Sequence, residues 1–394
     1  MIFMVAMLLT ILLAIILIPI VVLLFQCLLA AAASPLARPA AGPRPRLAVL
    51  VPAHNEEGGL AATLASLMPQ LLPGDRLLVV ADNCSDDTAG VARRAGAEVR
   101  ERQHATERGK GYALDFGVRA LADAPPDVLL IVDADCLVAD GALTRLAQDC
   151  AAAQRPVQAL YLMYAPGGNL MKKIAEFAWV VKNQVRPLGF HALGLPCQLM
   201  GTGMAFPWTI ISKAELANGH IVEDMKLGLD LALVGRAPLF CPQALVSSTF
   251  PTSDSGTESQ RTRWEHGHLS MIAAEAPRLL WRGITRGSLQ SIAMALDLSV
   301  PPVALLCLLT IGVSGAAMLL ALFTTAYTPF WLALLALGGL GAAVLLAWAR
   351  YGRAILSGRD LLSAVGYILR KIPLYLRFLV NRQVEWVRSK RDNE

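Results

Sequence analysis

The sequence predicts an α/β domain on a mostly parallel sheet, flanked by transmembrane and interfacial helices, and three features lead there. First, short apolar runs at 47–51, 76–81 and 128–132 alternate with stretches of helical length at 58–71, 88–95 and 110–122. Strands alternating with helices make a parallel sheet covered on both faces. Second, each run ends in polar groups: Asn55 and Glu56, then Asp82, then Asp133 and Asp135. In such sheets the ligand crevice lies at the carboxyl ends of the strands. Third, residues 1–37 and 298–349 contain no charged side chain. A membrane span takes roughly 20 apolar residues.

The second uncharged run is long enough for two spans, joined at its most polar stretch, 324–329. The first far exceeds the roughly 7–15-residue apolar core of a secretory signal, and no basic residue precedes it. It reads as a retained anchor. The expected organisation is an anchor at 1–37, a linker at 38–46, a domain at 47–268, an interfacial segment at 269–297, two spans at 298–349 and a basic tail at 350–394. Arg38, Arg44 and Arg46 follow the first span, and Arg350 and Arg353 follow the last. Basic residues mark the cytoplasmic side. The domain and the tail are therefore expected in the cytoplasm, in a multi-pass chain of a bacterial-type inner membrane.

The net charge is +5, and it resides in the tail after Arg350, as contact with anionic lipid requires. The domain has no basic face with interleaved aromatics, so nucleic acid is not an expected partner. The seven cysteines show neither zinc-ligand nor redox-pair spacing. Two amphipathic stretches, 169–195 and 361–380, carry Lys and Arg among apolar residues, a pattern that suits a helix lying at a membrane surface. A core-facing helix explains the first equally well.

Asp133-Ala134-Asp135 places two carboxylates at a strand end, an oxygen-rich site for Mg²⁺ or Mn²⁺; a solvated turn is the competing reading. Asp82 suits a base or ribose, while Asp86 or Asp87 suits a helix cap. Arg108-Gly109-Lys110-Gly111 offers a cation on a glycine-flanked loop, without the spacing of a P-loop. Glu223 and Asp224 precede a helix expected at 225–233, as dipole partners or with Asp224 as a general base. Gln260-Arg261-Thr262-Arg263-Trp264 combines guanidinium groups for phosphate with an indole face for a sugar. A solvated basic cluster is the alternative.

Taken in order, these pieces resemble the membrane-bound inverting family-2 glycosyltransferases, the group that includes cellulose, chitin-oligosaccharide and hyaluronan synthases. The resemblance runs from Val51-Pro52-Ala53-His54-Asn55-Glu56-Glu57 through Asp82, Gly109-Lys110-Gly111-Tyr112-Ala113-Leu114 and Asp133-Ala134-Asp135. It continues through Gly201-Thr202-Gly203 and Glu223-Asp224 to Gln260-Arg261-Thr262-Arg263-Trp264. It implies a glycosyltransferase A-type domain. Pro52, Ala53, His54, Asn55, Glu56 and Asp82 would hold uracil and ribose, with Lys110 and Asp133 near the nucleotide and Asp135 on the metal. Asp224, beside Glu223, would deprotonate the acceptor. Gly201, Thr202, Gly203, Gln260, Arg263 and Trp264 would hold the diphosphate and the acceptor.

The implied reaction moves a sugar from a nucleotide-diphosphate sugar, UDP-linked first, to a saccharide or lipid-linked acceptor with inversion, in exopolysaccharide or cell-envelope glycan synthesis. Mg²⁺ or Mn²⁺ is the implied cofactor, and membrane lipids are implied neighbours; the sequence identifies no partner proteins for export. Two rivals stay open: single-sugar transfer to a polyprenyl-phosphate or sphingolipid-type acceptor, and a non-catalytic membrane scaffold. Ala81 and Pro207 depart from the family pattern, which often has an acidic and a basic residue there. His266 and His268 follow the Trp as polar interfacial residues or as a pair on diphosphate or metal.

Overall fold

The computed structural model describes residues 2–33, 42–217, 222–250 and 254–380. In chain order its principal elements are α1 (Ile2–Ala32), β1 (Leu47–Ala53), α2 (Leu60–Leu67), β2 (Arg76–Asp82), α3 (Thr88–Arg94), β3 (Glu98–Arg102), α4 (Lys110–Leu121), β4 (Val128–Ile131), β5 (Leu137–Val138) and α5 (Ala142–Ala153). Then come β6 (Val157–Tyr164), α6 (Leu170–Val180), α7 (Arg186–His191), β7 (Met204–Pro207), α8 (Trp208–Ile211), α9 (Glu223–Leu233), β8 (Leu239–Thr249) and α10 (Asp254–Thr285). The chain continues with α11 (Leu289–Ser299), α12 (Val303–Phe323), α13 (Thr328–Ala347), α14 (Gly358–Leu362), α15 (Ala364–Arg370) and α16 (Ile372–Val380). The described residues form two compact units, one from 42–164 and 194–267, the other from 2–33, 165–193 and 268–380.

The first unit is the α/β domain. Its eight-stranded sheet runs β3-β2-β1-β4-β7-β6-β8-β5. β1 is central and pairs in parallel with β2 and β4, aligning Leu50 with Leu78 and Ile131. Both faces are covered, which is why these strands are apolar along their length rather than alternating. Leu50, Leu78, Leu129 and Phe206 are buried in one cluster with α4 residues Leu114 and Leu121. β7 runs antiparallel to both β4 and β6, so the sheet is mixed on that side. β6 and β8 are parallel, with a bulge between Ala159 and Leu160. β1 runs on through Pro52, whose missing N–H is tolerated near the strand's end.

The second unit holds three helices long and apolar enough to cross a membrane: Ile2–Ala32, Val303–Phe323 and Thr328–Gly352. In α1 the buried positions Leu9, Leu13, Ile16, Ile20, Leu23, Cys27 and Ala30 recur at helical spacing, while Ile11, Ile15 and Ile18 point outward. A helix apolar on every side suits lipid on one face and protein on the other. α13 supplies that protein face; a Cβ added at its Gly339 would lie 3.0 Å from Ile20 Cγ2. The α12–α13 connection falls inside the turn expected at 324–329.

The stretch at 169–195 is two helices joined by a π-helical turn at Val181–Val185. Its second half is core-facing. A Cβ at Gly189 would lie 2.1 Å from the Gln26 carbonyl oxygen, so only glycine lets α7 approach α1 this closely. Arg186 bonds the Asp297 carboxylate at 2.9 Å, and Gln26 donates to the same oxygen at 2.7 Å. The single tail helix expected at 361–380 is instead three short ones. α16 starts at Ile372-Pro373, where proline removes the amide that a continuous helix needs.

Candidate active site

Three strand ends meet at one edge of the sheet. After β1 and β2 the chain takes left-handed turns at Asn55 and Asn83 (φ 54° and 52°), a conformation that asparagine tolerates better than most residues. The two loops are laced together. Asn55 Oδ1 accepts the Ser85 amide at 2.7 Å, and the Glu56 amide donates to Thr88 Oγ1 at 2.7 Å. Glu57 and the stretch from Asp86 to Asp87 exchange two further bonds, Glu57 N–H to Asp86 and Asp87 N–H to Glu57. Burial works against the Asp86 charge, but bonds from the Thr88 hydroxyl and the Glu57 and Thr88 amides outweigh it and lower its carboxyl. Asp86 is therefore the residue bonded to the start of α3.

His54 Nδ1 lies 2.7 Å from the Asp82 carbonyl oxygen. A carbonyl only accepts, so the ring proton sits on Nδ1. The Asp82 carboxylate is buried and receives Arg102 at 2.8 Å and Asn83 at 3.0 Å. Arg102 also lies 5.6 Å from the Tyr112 ring centre. Sequence reasoning missed Arg102, because it sits on β3, a charged edge strand that lacks an apolar run.

At the end of β4, Asp133 forms an ion pair with Lys110, the first residue of α4. Lys110 Nζ also donates to the Gly201 carbonyl at 2.8 Å, and the Asp133 amide donates to Thr202 Oγ1 at 3.1 Å. Burial raises the Asp133 carboxyl against the pull of Lys110. Burial also opposes the Lys110 charge, but Asp133, Glu223 and Asp224 together hold the ammonium above its usual range. Donor atoms of Asp133, Asp135 and Cys136 lie within 4.8 Å of one another. Asp135 is exposed and Cys136 is buried, its thiol pushed well up by burial. An exposed carboxylate beside a second one fits a hard divalent cation held by oxygen.

Gly201 and Gly203 both have positive φ, 92° and 65°. A Cβ at Gly201 would lie 3.4 Å from Asp224 Oδ2 and 3.6 Å from Lys110 Nζ, so both side chains face this turn. Glu223 and Asp224 open α9, two residues earlier than the sequence suggested. Burial and then the Asp224 charge push Glu223 up to about 7, against the pull of Lys110. Arg263 is held below its usual range by burial, which outweighs the carboxylates of Glu223, Asp133, Asp224 and Asp135. A small pocket beside Glu223 and Asp224 is lined by Leu114, Met204, Leu216 and Leu227, with Glu215.

The structure thus brings together Lys110, Asp133, Gly201, Thr202, Glu223, Asp224 and Arg263. Pro52 and Ala53 close β1, and Trp264 is partly buried on α10. Gln260 lies on α10, with its side chain outside the described residues. His268 is buried near Lys182 and Arg186, and burial first, then those cations, lowers its imidazole. That environment makes it a neutral packing group. A second residue missed in the sequence is Gln158 on β6, fully buried, which accepts the Met200 amide at 2.8 Å and donates to the Thr202 carbonyl at 2.9 Å.

Residues 43–267 match the family described as Glycosyltransferase like family 2. Among curated proteins, the probable glycosyltransferase YdaM of Bacillus subtilis is 26% identical over 244 residues, covering 58% of this chain and 56% of that protein. An uncharacterized glycosyltransferase of Mycobacterium tuberculosis is 38% identical over 98 residues, covering 25% of this chain and 40% of that protein. The chain therefore spans only about half the length of these relatives. The solved mannosyltransferase PcManGT of Pyrobaculum calidifontis, in complex with GDP-Man and Mn²⁺, aligns with a TM-score of 0.57 at 17% identity. The alignment covers 97% of this chain and 100% of that one, a likeness of fold.

Proposed function

The chain belongs to glycosyltransferase family 2, and from that premise we propose that it transfers a sugar from a nucleoside-diphosphate sugar to an acceptor hydroxyl at a membrane face. The observation that carries this reading is the convergence of Asp133, Asp224 and Lys110 on the Gly201 turn, with Arg263 in the field of the same carboxylates. Asp224 accepts the hydroxyl proton. The acceptor oxygen then bonds to the anomeric carbon as the bond to the diphosphate oxygen breaks on the opposite face, inverting the linkage. Arg263 faces the leaving charge. Asp135, with Asp133, would hold Mg²⁺ or Mn²⁺; when bound, such an ion neutralises diphosphate charge. His54, Asn55, Glu56 and Asp82 form the laced loops on which we place the base and ribose. Gly203, Gln260 and Trp264 fall to the acceptor and diphosphate side.

UDP-sugars are the first donors to test, with GDP-mannose, named in the Pyrobaculum structure, as the comparison. The orientation we propose keeps the domain and tail in the cytoplasm, following the Arg residues beside the spans. The second reading is one addition to a lipid-linked acceptor. Three candidate spans among the described residues are few helices to wall a polymer channel. The test is purified chain in lipid with UDP- and GDP-sugars and Mn²⁺ or Mg²⁺, followed by mass spectrometry. We expect a glycosylated lipid or glycan product from wild type and none from Asp135→Ala. No transfer from any donor, or ordinary turnover by Asp135→Ala, contradicts the reading.

A further inference from the structure

We propose that Lys110 is a positioning residue that couples the two halves of the site, holding the acceptor-side turn at Gly201 in register with the donor-side carboxylate Asp133. The names of the two halves rest on the glycosyl-transfer reading above; the coupling itself rests on geometry. Lys110 stands at the first position of α4, directly after Gly109, whose φ of 117° turns the chain into the helix. Its ammonium pairs with Asp133 and donates to the Gly201 carbonyl at 2.8 Å. An ammonium has three donors and no acceptor, so it can serve a charged and a neutral oxygen together. The Asp133 amide adds a second tie, to Thr202 Oγ1 at 3.1 Å.

Both ties join the end of β4 to consecutive residues of one turn. From behind, Gln158 fixes the same turn through Met200 and Thr202. From the front, Asp224 faces the turn: a Cβ added at Gly201 would stand 3.4 Å from its Oδ2. A turn clamped in this way places the proton acceptor relative to the donor carboxylates. Misplacement by about 1 Å costs ~10²-fold in rate when reacting groups must align.

The test pairs hydrogen exchange with calorimetry on the full chain in lipid. In Lys110→Met we expect amides of residues 200–203 to exchange at least ~10-fold faster, as local opening eases. UDP affinity should change by less than ~3-fold while transfer falls ~10²-fold. Lys110→Arg, which keeps a cation with several donors, should recover part of both. Should Met unfold the domain, Lys110→Gln, which keeps a donor amide, carries the exchange comparison. Unchanged exchange at 200–203 overturns the proposal. A UDP affinity loss above ~10-fold with unchanged exchange makes Lys110 a diphosphate ligand and overturns it as well. If wild type neither binds UDP nor transfers sugar, the functional reading fails, while the exchange result still decides the coupling.

Discussion

Glu223 and Asp224 are adjacent carboxylates at the start of one helix, and their neighbourhood sets Glu223 apart. Burial and then the Asp224 charge push Glu223 up to about 7. An unfolded glutamate titrates near its ordinary value, roughly 4.3. Between these values the folded state binds more protons than the unfolded one, so stability falls as pH rises through this window and levels off above about 7. Glu223→Gln fixes the neutral form. It should therefore be more stable than wild type at pH 8, on the order of 1–3 kcal/mol, and its advantage should shrink to a minor fraction of that at pH 5, near the foot of the window. Thermal melts at both pH values, in metal- and nucleotide-free buffer, check this. An equal difference at both would show that Glu223 carries no such penalty. Asp82, Asp133 and Asp135 were legible in the sequence, because strand ends deliver them to one edge. Their electrostatic partners were not: Arg102 reaches Asp82 from an edge strand, and Gln158 reaches the Gly201 turn from a strand far along the chain.

At the scale of elements, Gly203 shows how tightly the turn is seated. A Cβ there would lie 2.7 Å from Ala159 Cβ and 2.8 Å from Val246 Cγ2, and its φ is 65°. Gly203→Ala combines a strained backbone with an overpacked contact, and we expect a loss of about 2–4 kcal/mol by denaturant titration. A loss below about 0.5 kcal/mol would mean that β6 and β8 yield readily. The parallel strands β1, β2 and β4 were readable because burial on both faces makes them continuous apolar runs. β3 was not, since its Glu98, Arg100 and Glu101 answer to solvent and to Arg76 rather than to a core. β6 to β8 escaped because antiparallel pairing and a bulge at Ala159 leave no simple period. The tail's apolar stripe does not run as one helix: it is cut into three, with Pro373 at the start of the last.

For the whole molecule, two uncharged runs became three helices able to span a membrane, and the alternating segment between them became a mixed α/β domain. Length and apolarity sufficed for the first result, and the alternation of apolar runs with helical stretches for most of the second. In the proposed reaction Asp224 performs the proton transfer that turns donor binding into sugar transfer. The most direct measurement compares wild type and Asp224→Asn in lipid, with UDP binding by calorimetry beside transfer rate. The substitution keeps size and one hydrogen-bonding oxygen but removes the base, whose assistance is typically worth ~10²–10⁴-fold. We expect UDP affinity close to wild type and transfer reduced by at least ~10²-fold; transfer at near-normal rates would contradict the account and leave Asp224 as a helix-start residue.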